Sequence, residues 1–286
     1  MKLTELQESD LEIGDILIFE DFDYEKEKLD KLLDKYDYQG AFDYLLHYLI
    51  AWFDPGKEGD NYKNIYHAGI WGNVNINRDK KNPEYKNCIV QAGGEGIGAA
   101  SLNAMLRDET VMNIYVCRFK KTTPTFREDI NISIRNFYAE KGYYSDTTAW
   151  LLAVVCSLRY STGILHELLV AYFKLDKKAD AIVEIIIIII NLYNSKHQEE
   201  MIACSPLVAM MYKNAGYELP VKTFELLDNK LPKPNFDIKE FLENLILSSD
   251  LKTKELTAIK QTVVTPRQLM ESSAVDVIGV LKHLKK

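Results

Sequence analysis

A thiol in this chain stands where a helix is predicted to begin. Cys204 opens the run Cys-Ser-Pro-Leu-Val-Ala-Met-Met-Tyr-Lys-Asn-Ala-Gly216, a small polar start followed by apolar residues at helical spacing and an end at glycine. The unpaired backbone N–H groups at a helix N-terminus favour the thiolate over the thiol, and the thiolate is the nucleophilic form. A free cysteine on an apolar helix is more often a small buried residue, so a nucleophile needs further support.

A histidine and a glutamine could provide that support. His67 lies in the alternating run at residues 65–71, which predicts a strand. Gln91 lies in the apolar run at residues 88–92, which predicts another. Cysteine catalysis needs a base within hydrogen-bond reach and a third group that fixes the imidazole tautomer, and neighbouring antiparallel strands can hold a histidine and a glutamine side by side. The combination with Cys204 therefore predicts a Cys-His-Gln site.

The elements predicted around these residues describe an α+β fold. Strands are predicted at about 15–20, at His67, at Gln91 and at 113–119, with helices at about 21–35, 41–53 and 100–107 and a glycine-rich turn after Gln91. Residues 123–197 show helical spacing and are interpreted as a helical section inserted before the Cys204 helix. A linker at 231–235, a helix at about 237–248 and a capped helical turn at 265–269 follow. Residues 1–286 are interpreted as one domain, in which an antiparallel strand meander packs on the cysteine helix.

The composition limits the classes of partner and compartment. With 286 residues, 47% hydrophobic residues and a net charge of −7, the chain can bury a large core, and its charge argues against nucleic acid as a partner. The N-terminus lacks the apolar segment of a signal peptide, and the most apolar run, residues 182–192, is too short to cross a bilayer. Four cysteines without zinc or disulfide spacing indicate a reducing compartment. The prediction is a cytoplasmic chain without a metal or a transmembrane segment, with non-classical secretion left open.

Two other motifs point to different chemistry, and each is incomplete. His166-Glu167 matches the start of the zinc motif H-E-x-x-H, but Val170 stands where the second histidine ligand would be. Residues 94–99, Gly-Glu-Gly-Ile-Gly-Ala, approach the turn that places a pyrophosphate on a helix N-terminus. Only about ten residues separate this turn from the next predicted strand, which is short for a crossover helix. We therefore predict a flexible turn beside a site, and no cofactor.

Several short motifs occur in one order along the chain. They are Gly14-Asp15-Ile-Leu, Tyr66-His67-Ala-Gly-Ile-Trp, Val90-Gln91-Ala, Tyr-x-Val-x-Arg118, Ala203-Cys204-Ser205 and Thr265-Pro-x-x-Leu269. Together they resemble a known family, the circularly permuted relatives of the NlpC-type papain-like cysteine hydrolases (the YiiX/YebB-like group). In papain-like enzymes the cysteine precedes its histidine, whereas in this group the cysteine helix follows the histidine strands. The resemblance covers about residues 10–120 and 198–280 and leaves the helical section between them unexplained.

The resemblance implies a circularly permuted papain-like fold and an activity. The activity would be that of a cysteine hydrolase that cleaves an amide bond in a peptide or an acyl-amide, without a cofactor. Cys204 would be the nucleophile, His67 the base and Gln91 the group that orients the imidazole. The backbone N–H of Cys204 would donate a hydrogen bond to the oxyanion.

Four further residues are candidates for the cleft. Tyr66 and Tyr143 are candidates for the second oxyanion donor. Asp15 would be either a turn residue or part of the cleft wall. Ser205, next to the nucleophile, is the fourth candidate.

Two residues depart from the family pattern. Gln91 stands where the family usually has a glutamate, and an amide accepts a hydrogen bond from the imidazole but does not stabilise the imidazolium by charge. Pro206 replaces a second glutamate, so substrate preference does not carry over. Two alternatives stay open beside the hydrolase: an acyltransferase or lipid-acting thiol enzyme of the same fold, and a binding module that has lost catalysis. The sequence predicts neither the substrate nor the oligomeric state.

Overall fold

A six-stranded antiparallel sheet lies at the centre of the fold. The computed structural model describes residues 3–35, 37–53, 62–93, 96–140, 204–221 and 264–284. The strands are β1 (Ile16–Glu20), β2 (Ile65–Asn75), β3 (Tyr85–Gly93), β4 (Gly96–Ala100), β5 (Asn113–Phe119) and β6 (Val275–Lys282), in the order β4-β3-β2-β1-β5-β6. The described helices are α1 (Lys26–Asp34), α2 (Tyr38–Phe53), α3 (Leu102–Met105), α4 (Phe126–Glu140), α5 (Cys204–Asn214) and α6 (Pro266–Met270). The chain is therefore mixed α+β, which confirms the class predicted from the sequence.

β1 is buried along its whole length and pairs on both sides. Its apolar residues 16–19 have no exposed surface, as expected of a continuous apolar run in a strand that is covered on both faces. β2 and β5 pair with it antiparallel, and Phe19 lies opposite His67. The register with β2 shifts by one residue between Phe19 and Glu20. Such a shift bends a strand and re-aims nearby side chains, and here it falls beside the histidine.

α5 packs on the sheet beside α4. It contacts β2 and β3, and α4 contacts both β2 and α5. The Ser133 hydroxyl on α4 donates a hydrogen bond to the backbone oxygen of Met211, and the Tyr212 hydroxyl donates one to the backbone oxygen of Gly14, just before β1. These buried bonds fix the position of the cysteine helix relative to α4 and to the start of β1, the strand that pairs with β2.

β4 lies where the sequence predicts only a glycine-rich turn. Its residues, Gly-Ile-Gly-Ala-Ala, include a single β-branched side chain, so local propensity gives no strand signal. The strand forms because it pairs antiparallel with β3. The prediction of a flexible turn is therefore wrong for residues 96–99. The run leads from one antiparallel strand into another, and not from a strand into a helix as a dinucleotide-binding turn requires.

β6 is a second strand that the sequence does not predict. The helical turn predicted at 265–269 is confirmed as α6, with a capping box between Thr265 and Gln268. β6 follows it and pairs with β5 at the edge of the sheet. Residues near the N-terminus complete this edge, because Leu6 N–H donates to the oxygen of Val280 and Val280 N–H donates to the oxygen of Thr4. These partners are far apart in sequence, and no local pattern indicates such pairing.

Much of the predicted helical insertion lies outside the described residues. α4 begins at Phe126, where the first helix of that section is predicted. Residues 141–197 are outside the described ranges, as are the linker at 231–235 and the helix at 237–248. The zinc-like motif at His166 lies outside the described residues too. Within the described ranges, no helix has the length and apolar character needed to cross a membrane.

The ion pair between Asp15 and Arg118 predicts a stability cost for removing the arginine. Asp15 is buried, and its carboxylate oxygens accept hydrogen bonds from Nε and Nη2 of Arg118 at 2.8 and 2.7 Å. Burial raises the pKa of Asp15, and Arg118 opposes that rise. Because Arg118→Met leaves a buried carboxylate without its cation, we expect the free energy of unfolding to fall by about 3 kcal/mol. Urea denaturation measures the change.

The control is Arg127→Met, which removes an exposed arginine that binds the neighbouring Glu12. An exposed ion pair contributes about 0 to 1 kcal/mol, so the control should stay close to the wild type. Equal losses in the two variants would contradict a specific role for Arg118.

Candidate active site

α5 holds the thiol of Cys204 at its first residue. The buried apolar residues behind it follow helical spacing: Leu207, Val208, Met211 and Tyr212. They press the helix against the sheet, and Cys204 itself is 4% exposed. The N–H groups of a first helical turn have no partner within the helix, so Pro206 costs no helical hydrogen bond there.

The ladder between β2 and β3 opens next to this helix start. Within the described strands, their pairing ends at Ile70 opposite Val90, although both strands continue beyond that pair. Ala68 lies in the stretch of β2 beyond the last pair, and its backbone N–H donates to the sulfur of Cys204. The opening therefore brings the thiol against the backbone of β2 and beside the side chains of both strands.

His67 is oriented by Gln91 across this opening. Nε2 of His67 lies 3.0 Å from Oε1 of Gln91, and the ring of Phe19 packs on the imidazole with the centroids 5.1 Å apart. The amide nitrogen of Gln91 points in turn to Sδ of Met105 at 3.8 Å. Because an amide oxygen only accepts hydrogen bonds, Nε2 of His67 carries a proton. Nδ1 is then the nitrogen left for the hydrogen bond with the thiol, and it can take the proton of that thiol.

The partners of Cys204 lower its pKa to about 7. Burial is the largest single influence and raises the pKa, but the charge of His67 and its hydrogen bond to the sulfur lower it. The Ser205 hydroxyl, 3.6 Å from the sulfur, and the Ala68 N–H add two donors that stabilise the thiolate. The pKa of His67 is raised although burial lowers it, because the thiolate and Gln91 stabilise the imidazolium. The site therefore favours a thiolate–imidazolium pair near neutral pH.

Two other described cysteines show the effect of burial without a histidine partner. Burial raises the pKa of Cys88 to about 11. Burial, with a smaller effect from the charge of Asp15, raises the pKa of Cys117 well above the ordinary thiol range. Both are free and buried, as Cys204 is. Burial alone therefore gives an inert thiol, and the lowered pKa of Cys204 comes from the groups around it.

Two of the four cleft candidates lie beside the thiol and the imidazole. Ser205 is fully buried and contacts the sulfur of Cys204. Tyr66 is buried next to His67 in β2, and its hydroxyl lies 3.4 Å from Oγ1 of Thr110. Burial is the main reason that the pKa of Tyr66 is raised above the ordinary range, so its hydroxyl keeps its proton and stays a hydrogen-bond donor.

Asp15 lies away from the thiol, and Tyr143 is outside the described residues. Asp15 is opposite Trp71, whereas His67 is opposite Phe19 at the other end of β1. A strand rises by about 3.3 Å per residue, which separates the two levels by about 13 Å. The Asp15 carboxylate also binds Arg118. Of the two roles considered for Asp15, its position therefore supports a turn residue and not a part of the cleft wall.

A second histidine lies close to the site, and the sequence gives no signal for it. Nδ1 of His47 on α2 lies 2.7 Å from Oδ2 of Asp21, and its ring stacks on Tyr66 with the centroids 3.8 Å apart. The sulfur of Met105 and the N–H of Ala68 are further contacts that sequence patterns do not indicate. Each depends on which elements meet in space, and an isolated histidine or methionine on a helix carries no such information.

The Ser205 hydroxyl predicts a small shift in the pKa of the thiol. Ser205→Ala removes one hydrogen bond to the thiolate, and such a bond contributes about 1 kcal/mol, so the pKa of Cys204 should rise by about half a unit to one unit. The pH dependence of thiolate absorbance measures it. Ser133→Ala is the control. The buried hydroxyl of Ser133, on α4, donates to the backbone oxygen of Met211 on α5 and makes no hydrogen bond to the sulfur. An unchanged pKa in Ser205→Ala would remove Ser205 from the site.

Among the described residues, no three His, Cys, Asp or Glu side chains are grouped so that they could hold a metal ion. No protein-family model matches the sequence, and no curated protein matches it either. What this site can do therefore has to follow from its geometry and its proton equilibria.

Proposed function

We propose that the protein is a cysteine hydrolase that cleaves an amide bond of a peptide or an acyl-amide. Cys204 is the nucleophile, His67 the general base and acid, and Gln91 the residue that orients the imidazole. The observation that carries the proposal is the buried thiol of Cys204 in contact with His67, whose Nε2 lies 3.0 Å from Oε1 of Gln91. His67 is the main influence that lowers the pKa of this thiol, to about 7. Nucleophile, base and orienting group in one hydrogen-bonded series form the arrangement that covalent acyl transfer needs.

The reaction proceeds through an acyl-enzyme. The Cys204 thiolate attacks the carbonyl carbon of the substrate, and the π electrons move onto the carbonyl oxygen. The imidazolium of His67 then donates its Nδ1 proton to the leaving nitrogen as the C–N bond breaks, which leaves a thioester on Cys204. Water attacks this thioester, His67 takes the proton of the water, and breaking of the C–S bond releases a carboxylic acid and restores the thiolate.

The start of α5 provides a donor for the oxyanion. The backbone N–H of Cys204 belongs to the first helical turn and has no acceptor within the helix. It can donate to the developing oxyanion, a contribution of about 3 kcal/mol where single donors have been removed from hydrolases. Tyr66, whose ring centroid lies 6.1 Å from that of the imidazole and whose hydroxyl keeps its proton, is the described candidate for a second donor.

We also propose that the fold is a circularly permuted papain-like domain with a helical insertion at about 123–197. The support is the order of the parts: the strands that carry His67 and Gln91 come first, and the helix that carries Cys204 follows. The contact of α5 with β2 and β3 is the packing that such a fold requires. The resemblance of the sequence motifs points the same way.

Alkylation by iodoacetamide tests the proposed function with controls inside the chain. At pH 7, Cys204 in the folded protein should react at least tenfold faster than in the urea-denatured protein. Cys88 and Cys117 should be protected in the folded protein, because burial raises the pKa of each. Mass spectrometry of the digested protein gives the three rates separately. A Cys204 that reacts no faster when folded would contradict the proposal.

The fate of the acyl group separates hydrolysis from transfer. A library of peptides and acyl-amides, incubated with the protein and examined by mass spectrometry, should give an acyl adduct on Cys204 and a free acid product. The same reactions with a primary amine present show whether an acceptor competes with water. Transfer without any free acid would replace the hydrolase by an acyltransferase. A reactive Cys204 that forms no adduct with any member would favour a binding module.

A further inference from the structure

A cavity of about 250 Å³ lies where the chain leaves β1. Four carboxylates line it: Asp21, Asp23, Glu25 and Glu109. Among the described lining residues, Lys28 is the only lysine, so these residues carry an excess of negative charge. A concave site lined with charge of one sign concentrates ligands of the opposite sign.

The walls of this cavity suit an organic cation. Tyr44 and Tyr48 line it with their rings 5.1 Å apart in an edge-to-face arrangement. Nζ of Lys28 already lies 5.0 Å from the centroid of the Tyr44 ring, so an ammonium group fits against this wall. Aromatic faces attract ammonium and guanidinium groups, and carboxylates close by strengthen that attraction. His283, which also lines the cavity, has a buried Nδ1 without a hydrogen-bond partner, and a ligand N–H would satisfy it.

The cavity adjoins the candidate active site. Asp21 lies two residues beyond Phe19, the residue opposite His67. Asp21 binds His47, and His47 stacks on Tyr66, which directly precedes His67. The rings of Tyr66 and His67 have centroids 6.1 Å apart, so the side chains of His47 and Tyr66 lie between the cavity and the imidazole.

We propose that this cavity is a specificity subsite for a positively charged organic group, an ammonium or a guanidinium, on the substrate. This inference rests on the proposed function, because it assigns the subsite to the substrate that Cys204 attacks. The substrate would carry its cation about 10 Å from the scissile carbonyl, which is the length of about three extended peptide residues. The carboxylates are not grouped as a three-ligand metal site within the described residues, and the tyrosine walls favour an organic cation.

Two series of iodoacetamides test the subsite through Cys204. One series carries a terminal ammonium on alkyl tails of two to eight carbons, and the other carries a methyl group at the same position. We expect the ratio of cationic to neutral alkylation rates to peak at one tail length, with a preference of about tenfold. The preference should shrink as salt is added, because the carboxylates of Asp23 and Glu25 are exposed.

Matched variants separate the subsite from the general charge of the protein. Asp23→Asn with Glu25→Gln removes two carboxylates that line the cavity and leaves Asp21, which binds His47, in place. Glu8→Gln with Glu27→Gln removes two exposed carboxylates that do not line it. We expect Asp23→Asn with Glu25→Gln to remove most of the preference for the cationic series. Glu8→Gln with Glu27→Gln should keep that preference. A preference that is absent, or that falls equally in both variants, would overturn the proposal.

Direct binding keeps this test independent of the thiol. Hexylamine, with hexanol as its neutral match, can be titrated into Cys204→Ala by calorimetry. We expect binding of hexylamine alone, weakened at least fivefold by Asp23→Asn with Glu25→Gln. Slow alkylation by the neutral series would overturn the proposed function, and the titration alone would then decide whether the cavity binds a cation. Fast neutral alkylation without cation binding would overturn the subsite alone.

Discussion

Replacing His67 with alanine should raise the pKa of Cys204 above that of an ordinary thiol and slow its alkylation at pH 7 at least tenfold. In the wild-type site burial raises this pKa, and the charge and hydrogen bond of His67 are the largest influences that lower it, to about 7. Without the imidazolium, burial is opposed only by Ser205 and the N–H of Ala68. The thiolate fraction at pH 7 then falls from about half to a few per cent or less.

The pH dependence of the alkylation rate measures this change. In the wild type the rate should rise as the pH increases through 7, and in His67→Ala the rise should move to alkaline pH. His47→Ala is the matched control, because His47 lies nearby and binds Asp21, with no hydrogen bond to the sulfur. If His67→Ala keeps the pH profile of the wild type, the thiol is not activated by its neighbour.

The parts of the site that lie on regular elements could be predicted from the sequence. A helix start at Cys204 and strands at His67 and Gln91 follow from apolar spacing and turn residues, and the structure brings the three side chains together. Their catalytic roles stay a proposal. The donors around the thiolate could not be predicted, because Ala68 N–H is available only where the pairing of β2 with β3 ends. Where a ladder ends depends on the tertiary structure.

The same distinction applies to the fold. β1 is a short apolar run that follows a Gly-Asp turn and contains two isoleucines, and these local features are enough to predict a strand. β4 is mostly glycine and alanine, and β6 completes the sheet edge only with help from residues 4–6, so both depend on distant partners. The contact between His47 and Asp21 likewise joins residues that are distant in sequence. Pairing across the chain is what the local pattern does not contain.

Exchanging Gln91 for glutamate should extend the activity of the site to higher pH. Oε1 of Gln91 lies 3.0 Å from Nε2 of His67, and a carboxylate at that distance would stabilise the imidazolium by charge. The pKa of His67, already raised, should rise by about one further unit. Acylation needs the imidazolium to protonate the leaving nitrogen. The alkaline limb of the pH–rate profile should therefore move to higher pH by about one unit. The acid limb, set by loss of the Cys204 proton near pH 7, should move little, because the sulfur is farther from the new charge than the imidazole is.

Gln91→Leu separates orientation from charge in the same position. It removes the acceptor for Nε2 and leaves the imidazole free to change tautomer, so we expect acylation at pH 7 to slow at least tenfold. The test is the rate of acyl-adduct formation on Cys204 as a function of pH in wild type, Gln91→Glu and Gln91→Leu. Identical profiles in all three would mean that residue 91 does not act on His67. If only Gln91→Leu is slow at pH 7 and only Gln91→Glu gains at high pH, the amide of the wild-type residue orients the imidazole without stabilising it by charge.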